Sequence, residues 1–306
     1  MSEFSKRLSQ IQFNTRVSLA EGSIFDFEKF KTIRELKSTR SFFSLHPIVI
    51  IADPFLFSYE NELYLFYEEQ IDLRGKGKIK MTKTNDLKNW TKPIVVLKEH
   101  FHLSYPNVFK VGGSVYMLPE TGEDASIRLY KANSDLTEWK LEHILLTGKS
   151  FVDTSVFCLK DKYYLFTTDY SNKTNILELY YSDTVKGKWI KHPQSPIAIG
   201  KNIGRGAGSL FFYNDVLYRP CQYNEKMYGG GVDIYKIQTL NTTEFKEEKV
   251  MKIIPNVVDP FYLLGGHHFN YCEFNGRLIV ATDGVEERFN LLEILRRIYN
   301  KFSKKS

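Results

Sequence analysis

Residues 51–69 read IADPFLFSYENELYLFYEE, and residues 151–169 read FVDTSVFCLKDKYYLFTTD. Both set an Asp four places ahead of a Phe, follow it with a short polar turn, and continue into an aromatic Tyr-Leu-Phe run at the same offset. Two such runs around a turn are the mark of a β-hairpin. Asp is disfavoured within strands, so a carboxylate repeated at the mouth of the same hairpin needs a reason.

The hairpin recurs along the chain. Aligned on its turn, five first strands stand in register: DPFLF (53–57), YPNVF (105–109), DTSVF (153–157), AGSLF (207–211) and HFNYC (268–272). They lead through YEN, VGG, LKD, YND and FNG into LYLFYEE, VYMLPET, YYLFTTD, LYRPCQY and LIVATDG. Four units add a third strand, KIKMTKT, IRLYKAN, LELYYSD and VDIYKIQ, and the first three close near a Trp in LKNW, LTEW and KGKW, where the fourth has TTEF. Short strands with a period of about fifty residues indicate a radial β array. The pattern predicts an all-β fold, a five-bladed β-propeller over residues 46–285. A β-sandwich with accidental similarity is the competing account. Residues 1–45 are expected to hold a closing strand, IQFNTRVSL, for the last blade.

The tail over 286–306 differs. Leu291, Leu295, Ile298 and Phe302 fall at helical spacing, with Arg296, Arg297, Lys301, Lys304 and Lys305 around them. A basic amphipathic helix can rest on an anionic membrane face, dock a partner, or pack on the propeller.

Composition narrows the class. The chain has 306 residues, 42% hydrophobic and 15% aromatic, with net charge +6. That supports a sizeable core, and abundant Phe and Tyr favour strands. No apolar run approaches the length of a membrane span. The stretch MSEFSKRLSQIQFNTR lacks the apolar centre of a secretory signal. Cys158, Cys221 and Cys272 are an odd set without metal-ligand spacing. The expected location is the cytoplasm, or the inner membrane face through the tail. Lys and Arg are scattered, and no nucleic-acid module is present. RGKGKIK lacks the strand-to-helix setting of a phosphate loop, so no cofactor is expected.

Innermost propeller strands ring a central channel, and the repeat register names the ring at its mouth. Asp53, Tyr105, Asp153, Ala207 and His268 start the first strands; Glu68, Glu120, Thr168, Gln222 and Asp283 lie in the second. Repetition of the blade thus brings sequence-distant carboxylates to one funnel. His267 and His268 are adjacent, and neighbours on a strand face opposite ways. At most one would enter the channel, His268 by its register, and no metal site is expected.

These residues carry a resemblance. ADPF, DTSVF and the five units resemble the furanosidase-type propellers, the arabinanases and xylosidases with the fructosidases as cousins. There a first-blade Asp is the general base and a third-blade Asp orients and tunes the acid, which implies Asp53 and Asp153 for these roles. The longer run ADPFLF…LYLFYEE…GKGKI…HLSYPNVF…VYMLPET…IRLYKA is similar to the N-terminal domain of plant glucosamine inositolphosphorylceramide transferases, and to modules encoded in bacterial surface-polysaccharide clusters. That resemblance covers roughly residues 46–285.

The chain departs from the glycosidases where their fourth blade presents an acidic Glu: it reads NIGRGAGSLFF, with Arg205. A glycosidase must protonate a poor leaving group. A transferase expels a phosphate, which calls for positive charge, and a guanidinium fork suits it. The leading expectation is a glycosyltransferase that takes an activated, phosphate-linked sugar to a carbohydrate or glycolipid acceptor. Asp53, Asp153 and Glu120 are the expected catalytic residues. Glu68, Tyr105, Arg205, Gln222 and His268 are expected to bind substrate, Arg205 and His268 facing the phosphate. The alternatives are an intracellular glycoside hydrolase, with Glu120 or Glu68 as acid, and a non-catalytic carbohydrate-binding propeller.

Overall fold

The computed structural model describes residues 9–38, 48–71, 75–225, 227–254, 259–289 and 295. Apart from three 3₁₀ turns, the elements over these residues are strands. β1 (Ser9–Ala20) and β2 (Phe30–Leu36) precede the first repeat unit, which forms β3 (Ile48–Tyr59), β4 (Glu62–Ile71), β5 (Lys78–Thr84) and β6 (Ile94–Leu97). The second gives β7 (Ser104–Val111), β8 (Ser114–Glu120), β9 (Ser126–Ala132) and β10 (Trp139–Thr147). The third gives β11 (Phe151–Leu159), β12 (Lys162–Asp169), β13 (Ile176–Ser182), β14 (Ile190–Lys191) and β15 (Ala198–Ile199). The fourth gives β16 (Phe211–Tyr213), β17 (Val216–Gln222), β18 (Val232–Leu240) and β19 (Phe245–Ile254), and the last gives β20 (Phe269–Phe274) and β21 (Arg277–Phe289).

Turn chemistry explains why every unit opens as a hairpin. Glu60-Asn61, Lys160-Asp161, Asn214-Asp215 and Asn275-Gly276 all have both central residues at positive φ, the two-residue turn whose twist matches that of the flanking strands. In the second unit Gly112, at φ 57°, performs the same reversal.

Hydrogen bonding gathers the strands into four sheets rather than five. Units two, three and four each form their own sheet. Units one and five share an eight-stranded one, in the order β20-β21-β1-β3-β4-β5-β6 with β2 on β1. Its halves meet through a single parallel pair, Phe13 with Ile50. β1 runs antiparallel to β21 along its whole length, from Ser9 opposite Phe289 to Ala20 opposite Leu278. The N-terminal strand therefore joins the last unit to the first.

Apolar side chains fill the contacts between successive units. Phe66, Met81, Met117 and Trp139 cluster between the first and second. Leu118, Leu129, Leu165 and Trp189 do so between the second and third, and Phe166, Leu179, Leu217 and Ile237 between the third and fourth. Burying such surfaces, at about 25 cal/mol per Å² of apolar area, is what holds the units face to face.

Two predicted boundaries move. AGSLF is not a strand until Phe211: Gly208 sits at φ 140°, where any side chain would strike the Phe269 carbonyl. β21 continues through Phe289, past the predicted end of the propeller at 285. Of the amphipathic helix expected over 286–306, residues 286–289 are strand instead, and the rest lies outside the described residues, apart from Leu295. Among the described residues no helix is long and apolar enough to cross a membrane.

Candidate active site

Three innermost strands carry the same irregularity at the same register. Pairing slips between Ala52 and Phe55 in β3, between Ser104 and Asn107 in β7, and between Val152 and Ser155 in β11. At each slip one residue adopts positive φ: Asp53 at 51°, Tyr105 at 46° and Asp153 at 49°. The left-handed conformation costs a non-glycine residue roughly 1–2 kcal/mol, and bulges of this sort re-aim side chains. The strain is what turns the Asp side chains out of the strand plane and towards the axis.

Neighbouring units hold the bulges. Asp283 Oδ2 accepts from the Asp53 N–H at 3.3 Å, and Asp53 Oδ2 in turn accepts from the Tyr105 N–H at 3.2 Å. Deeper on the axis, Asn270 Oδ1 accepts from the Leu56 N–H at 2.8 Å, Asn107 Oδ1 from the Val156 N–H at 3.2 Å, and Asn107 donates to Ser209 Oγ at 2.6 Å. Inner-edge N–H groups, which have no strand beside them, are thereby satisfied.

Asp53, Glu68, Glu120, Asp153 and Arg205 line one axial cavity of about 120 Å³, together with Gln70, His102, Ser104, Tyr228 and His267. That is about four waters' share of liquid, at roughly 30 Å³ each, room for the reacting end of a substrate.

On one side of the cavity the charges are matched. Asp53 Oδ1 lies 3.5 Å from His268 Nδ1 and 3.9 Å from His267 Nε2, while His267 Nδ1 is 2.5 Å from Asp283 Oδ2. Burial pushes against ionisation of Asp53, but the two histidines overcome it and bring its carboxyl down to about 2. Burial likewise opposes the His267 cation, and the Asp283 and Asp53 carboxylates outweigh it, raising the imidazole to about 9.

The other side is short of cations. Arg205 ion-pairs with Asp153 through Nε and lies 3.7 Å from Glu120. Burial, with Glu120 and Asp53 nearby, still carries Asp153 up to about 7 despite that guanidinium. Burial raises Glu120 too, and it raises Glu68 well above the carboxylate range, with Asp53 and Glu120 adding repulsion. His102 accepts the Gly77 N–H at Nδ1, so its Nε2 carries the proton, 3.3 Å from Glu68 Oε1.

Several residues expected at the mouth do other work. Tyr105 is fully buried: its hydroxyl donates to the Gly208 carbonyl and accepts from the Gly208 N–H, both at 2.8 Å, with Ser155 Oγ at 3.0 Å. It bolts the second unit to the third and fourth and is not at the cavity wall. Gln222 is also buried, and its amide donates to Asp153 Oδ2 at 3.1 Å and the Gly206 carbonyl at 2.8 Å, so it positions Asp153. His268 is enclosed by Phe55 and Tyr105, with ring centroids 4.6 and 5.4 Å away, and cannot meet a substrate phosphate. His267 reaches the cavity instead, stacked on Phe13 at 4.6 Å. The alternation argument fails here because β20 starts only at Phe269. The backbone N–H groups of both histidines donate to Asp283 Oδ1, at 2.7 and 3.1 Å.

The same argument had removed a metal site, yet Asp53, His267 and Asp283 each offer a ligand atom within 4.8 Å of the others. The cluster is already balanced by the His267 proton, so a cation would enter only by displacing it.

The sequence could have disclosed more. The third position of each first strand reads Phe55, Asn107, Ser155, Ser209 and Asn270. Four of the five are small and polar on an otherwise apolar strand, and they form the axial hydrogen-bond ring.

With this geometry described, comparison with known proteins places the chain. The family model for glucosamine inositolphosphorylceramide transferase 1, N-terminal, matches residues 38–266. The protein named glucosamine inositolphosphorylceramide transferase 1 from Oryza sativa subsp. japonica is 36% identical over 212 residues, 67% of this chain and 28% of that protein. Its namesake in Arabidopsis thaliana is 35% identical over 249 residues, 78% of this chain and 32% of that protein. The chain thus spans about a third or less of these relatives. Among solved structures, a thermostable family-43 glycoside hydrolase matches with TM-score 0.53 at 17% identity, over 66% of this chain and 76% of that one. An α-L-arabinofuranosidase from Podospora anserina matches with TM-score 0.56 at 9% identity, over 78% and 91%. At such identities the likeness is one of fold, a β-propeller. The chain belongs to the family of the N-terminal domain of glucosamine inositolphosphorylceramide transferase 1.

Proposed function

We propose that this chain transfers a sugar from a phosphate-activated donor to a hydroxyl of a carbohydrate or lipid-linked acceptor, and that the axial cavity is where it does so. One observation carries the reading: a single cavity holds Asp53, kept ionised, opposite Asp153, brought to about 7. Carboxyl groups whose environments drive them apart are the pattern of acid–base division of labour. Asp153 suits proton transfer at neutral pH, where a group is most effective. Asp53 remains a fixed negative charge. In this assignment the base role that the furanosidase resemblance implies for Asp53 passes to Asp153.

The bond from the anomeric carbon to the phosphate oxygen breaks, and its electron pair leaves with the phosphate. The acceptor oxygen supplies the pair for the new bond, and its proton passes to Asp153. Asp53 stabilises the positive charge that develops at the sugar. The relatives' name speaks of glucosamine and of a ceramide carrying phosphorylated inositol. A wall of Asp53, Glu68 and Glu120 suits the ammonium of an amino sugar, and a lipid-linked acceptor would bring the chain to a membrane face. We also infer that the halves of the eight-stranded sheet act as separate blades, five in all, since one pair joins them.

Hydrolysis is the second reading, favoured by the raised Glu68 and Glu120, which supply the protonated acid a glycosidase needs. The deciding experiment measures nucleoside-diphosphate release from a panel of nucleotide sugars with an acceptor glycan. Asp153→Asn should abolish release while melting as the wild type does. Cleavage of aryl furanosides without any donor turnover would overturn transfer in favour of hydrolysis.

A further inference from the structure

Beside the axial cavity lies a second, larger one of about 330 Å³, and the two share the side chains of Arg205 and Tyr228. Its charge is the reverse of the first. Lys173 and Lys201 stand in its wall with Arg205, against one acid, Glu225. The Glu225 carboxylate is engaged by the Tyr223 hydroxyl, and neither lysine has a carboxylate partner among the described residues.

The wall is built. The Asn175 carbonyl accepts from the Gly200 N–H at 3.0 Å, the Gly200 carbonyl from Gly204 N–H at 3.1 Å, and Thr168 Oγ1 donates to the Gly204 carbonyl at 2.8 Å. These bonds pin the loop that carries Lys201 to β12 and β13. Lys173 stands at positive φ, 57°, in a turn closed by its N–H on the Tyr170 carbonyl. Tyr170 and Tyr228 flank the Arg205 guanidinium, their ring centroids 5.8 and 5.2 Å from Cζ. Asp153 and Glu120 occupy Arg205 from the acid side through Nε and Nη2, and its opposite side borders this cavity.

We propose that this vestibule is the diphosphate subsite of the donor, with Lys173 and Lys201 as the phosphate-binding cations and Arg205 as the partition between leaving group and acids. The inference rests on the glycosyl-transfer reading and adds to it a place for the leaving group that Arg205 alone, held by two carboxylates, does not provide. Anionic ligands are drawn to a concave site lined with one sign of charge. An ammonium binds phosphate as a point charge. With the sugar in the axial cavity and the diphosphate in the vestibule, the bond to be broken lies at Arg205. The two exposed tyrosine rings offer faces for the group beyond the phosphates, a base or a second sugar.

The test is isothermal titration of inorganic pyrophosphate into the whole chain. Wild type should bind it with an affinity that falls as salt rises. The double variant Lys173→Ala/Lys201→Ala should weaken binding about tenfold or more, since each charged contact is worth roughly a factor of ten. Lys140→Ala, an exposed lysine on β10, should leave binding unchanged. Equal binding by wild type and the double variant, or an equal loss in Lys140→Ala, would overturn the subsite. If the double variant loses pyrophosphate while no nucleotide sugar is ever turned over, the subsite stands and the glycosyl-transfer reading falls.

Discussion

The two sides of the axial cavity are made of the same materials and end in opposite states. Around Asp53, two aspartates face two histidines, with ring nitrogens 2.5, 3.5 and 3.9 Å from carboxylate oxygens. Around Asp153, two carboxyl groups share one guanidinium with Glu68 close by, and burial is left partly uncompensated. Both sides use the same bulged strand and the same left-handed Asp. What differs is the counter-charge the neighbouring unit delivers. The contrast implies that one side anchors structure and fixed charge while the other moves protons.

The largest effect should come from the uncompensated side. Asp153→Asn is expected to lower kcat by about a thousandfold, in the range of positioned acid–base groups, with little change in melting temperature. If Asp153 acts as a base, the wild-type rate should climb as pH rises through about 7, where the group ionises. A rate that falls over the same interval would assign it as an acid and reverse the comparison in favour of hydrolysis.

Tyr105 ties one side to the other, its N–H on Asp53 and its hydroxyl on Gly208 and Ser155. Tyr105→Phe strands buried groups of Gly208, and chemical denaturation should show a loss of about 3 kcal/mol, since each unmatched buried group costs roughly 1–3 kcal/mol. A loss below 1 kcal/mol would mean that the sides are held independently.

Asp53→Asn probes the compensated side as structure. Its carboxyl is lowered from 3.8 to about 2, so the native state gains about 2 kcal/mol from ionisation. That gain is complete above the unfolded value near 4 and disappears as pH falls through about 2. The variant should therefore be less stable than wild type by a constant amount between pH 5 and 8, and the difference should narrow in acid. An unchanged denaturation midpoint at pH 7 would remove the anchoring role.

The smallest effect should be a gain. Glu68 is raised, so its contribution is most favourable below the ordinary carboxylate value and declines as pH climbs. Glu68→Gln should raise the melting temperature at pH 8 by about 2 °C, near 1 kcal/mol for a chain of this size, with a smaller difference at pH 5. Destabilisation at pH 8 would mean that His102 compensates Glu68 and that the sides are more alike than they look.

How much of this was legible depends on whether a residue lies inside the repeat. Asp53, Glu68, Glu120 and Asp153 were readable because each unit copies one backbone, so equal register means equal distance along the axis. His267 was misjudged in favour of His268 because the segment before Phe269 has no strand periodicity to copy. Tyr105 and Gln222 share the right register but have their polar atoms taken by the Gly208 backbone and the Asp153 carboxylate, contacts between units that no single unit encodes. Arg205 was read as a phosphate ligand from its neighbourhood of glycines. Its pairing with Asp153 became visible only in three dimensions.

From the amino-acid order alone came the four carboxyl groups that meet at the axis, Asp53, Glu68, Glu120 and Asp153, because repetition is a property of spacing and spacing survives translation into geometry. Which of them is charged could not be read there. Ionisation answers to dehydration and to partners within a few ångströms, and those partners arrive from other units, 52 residues away for Arg205 at Asp153 and 230 for Asp283 at Asp53, assembled only when the ring closes.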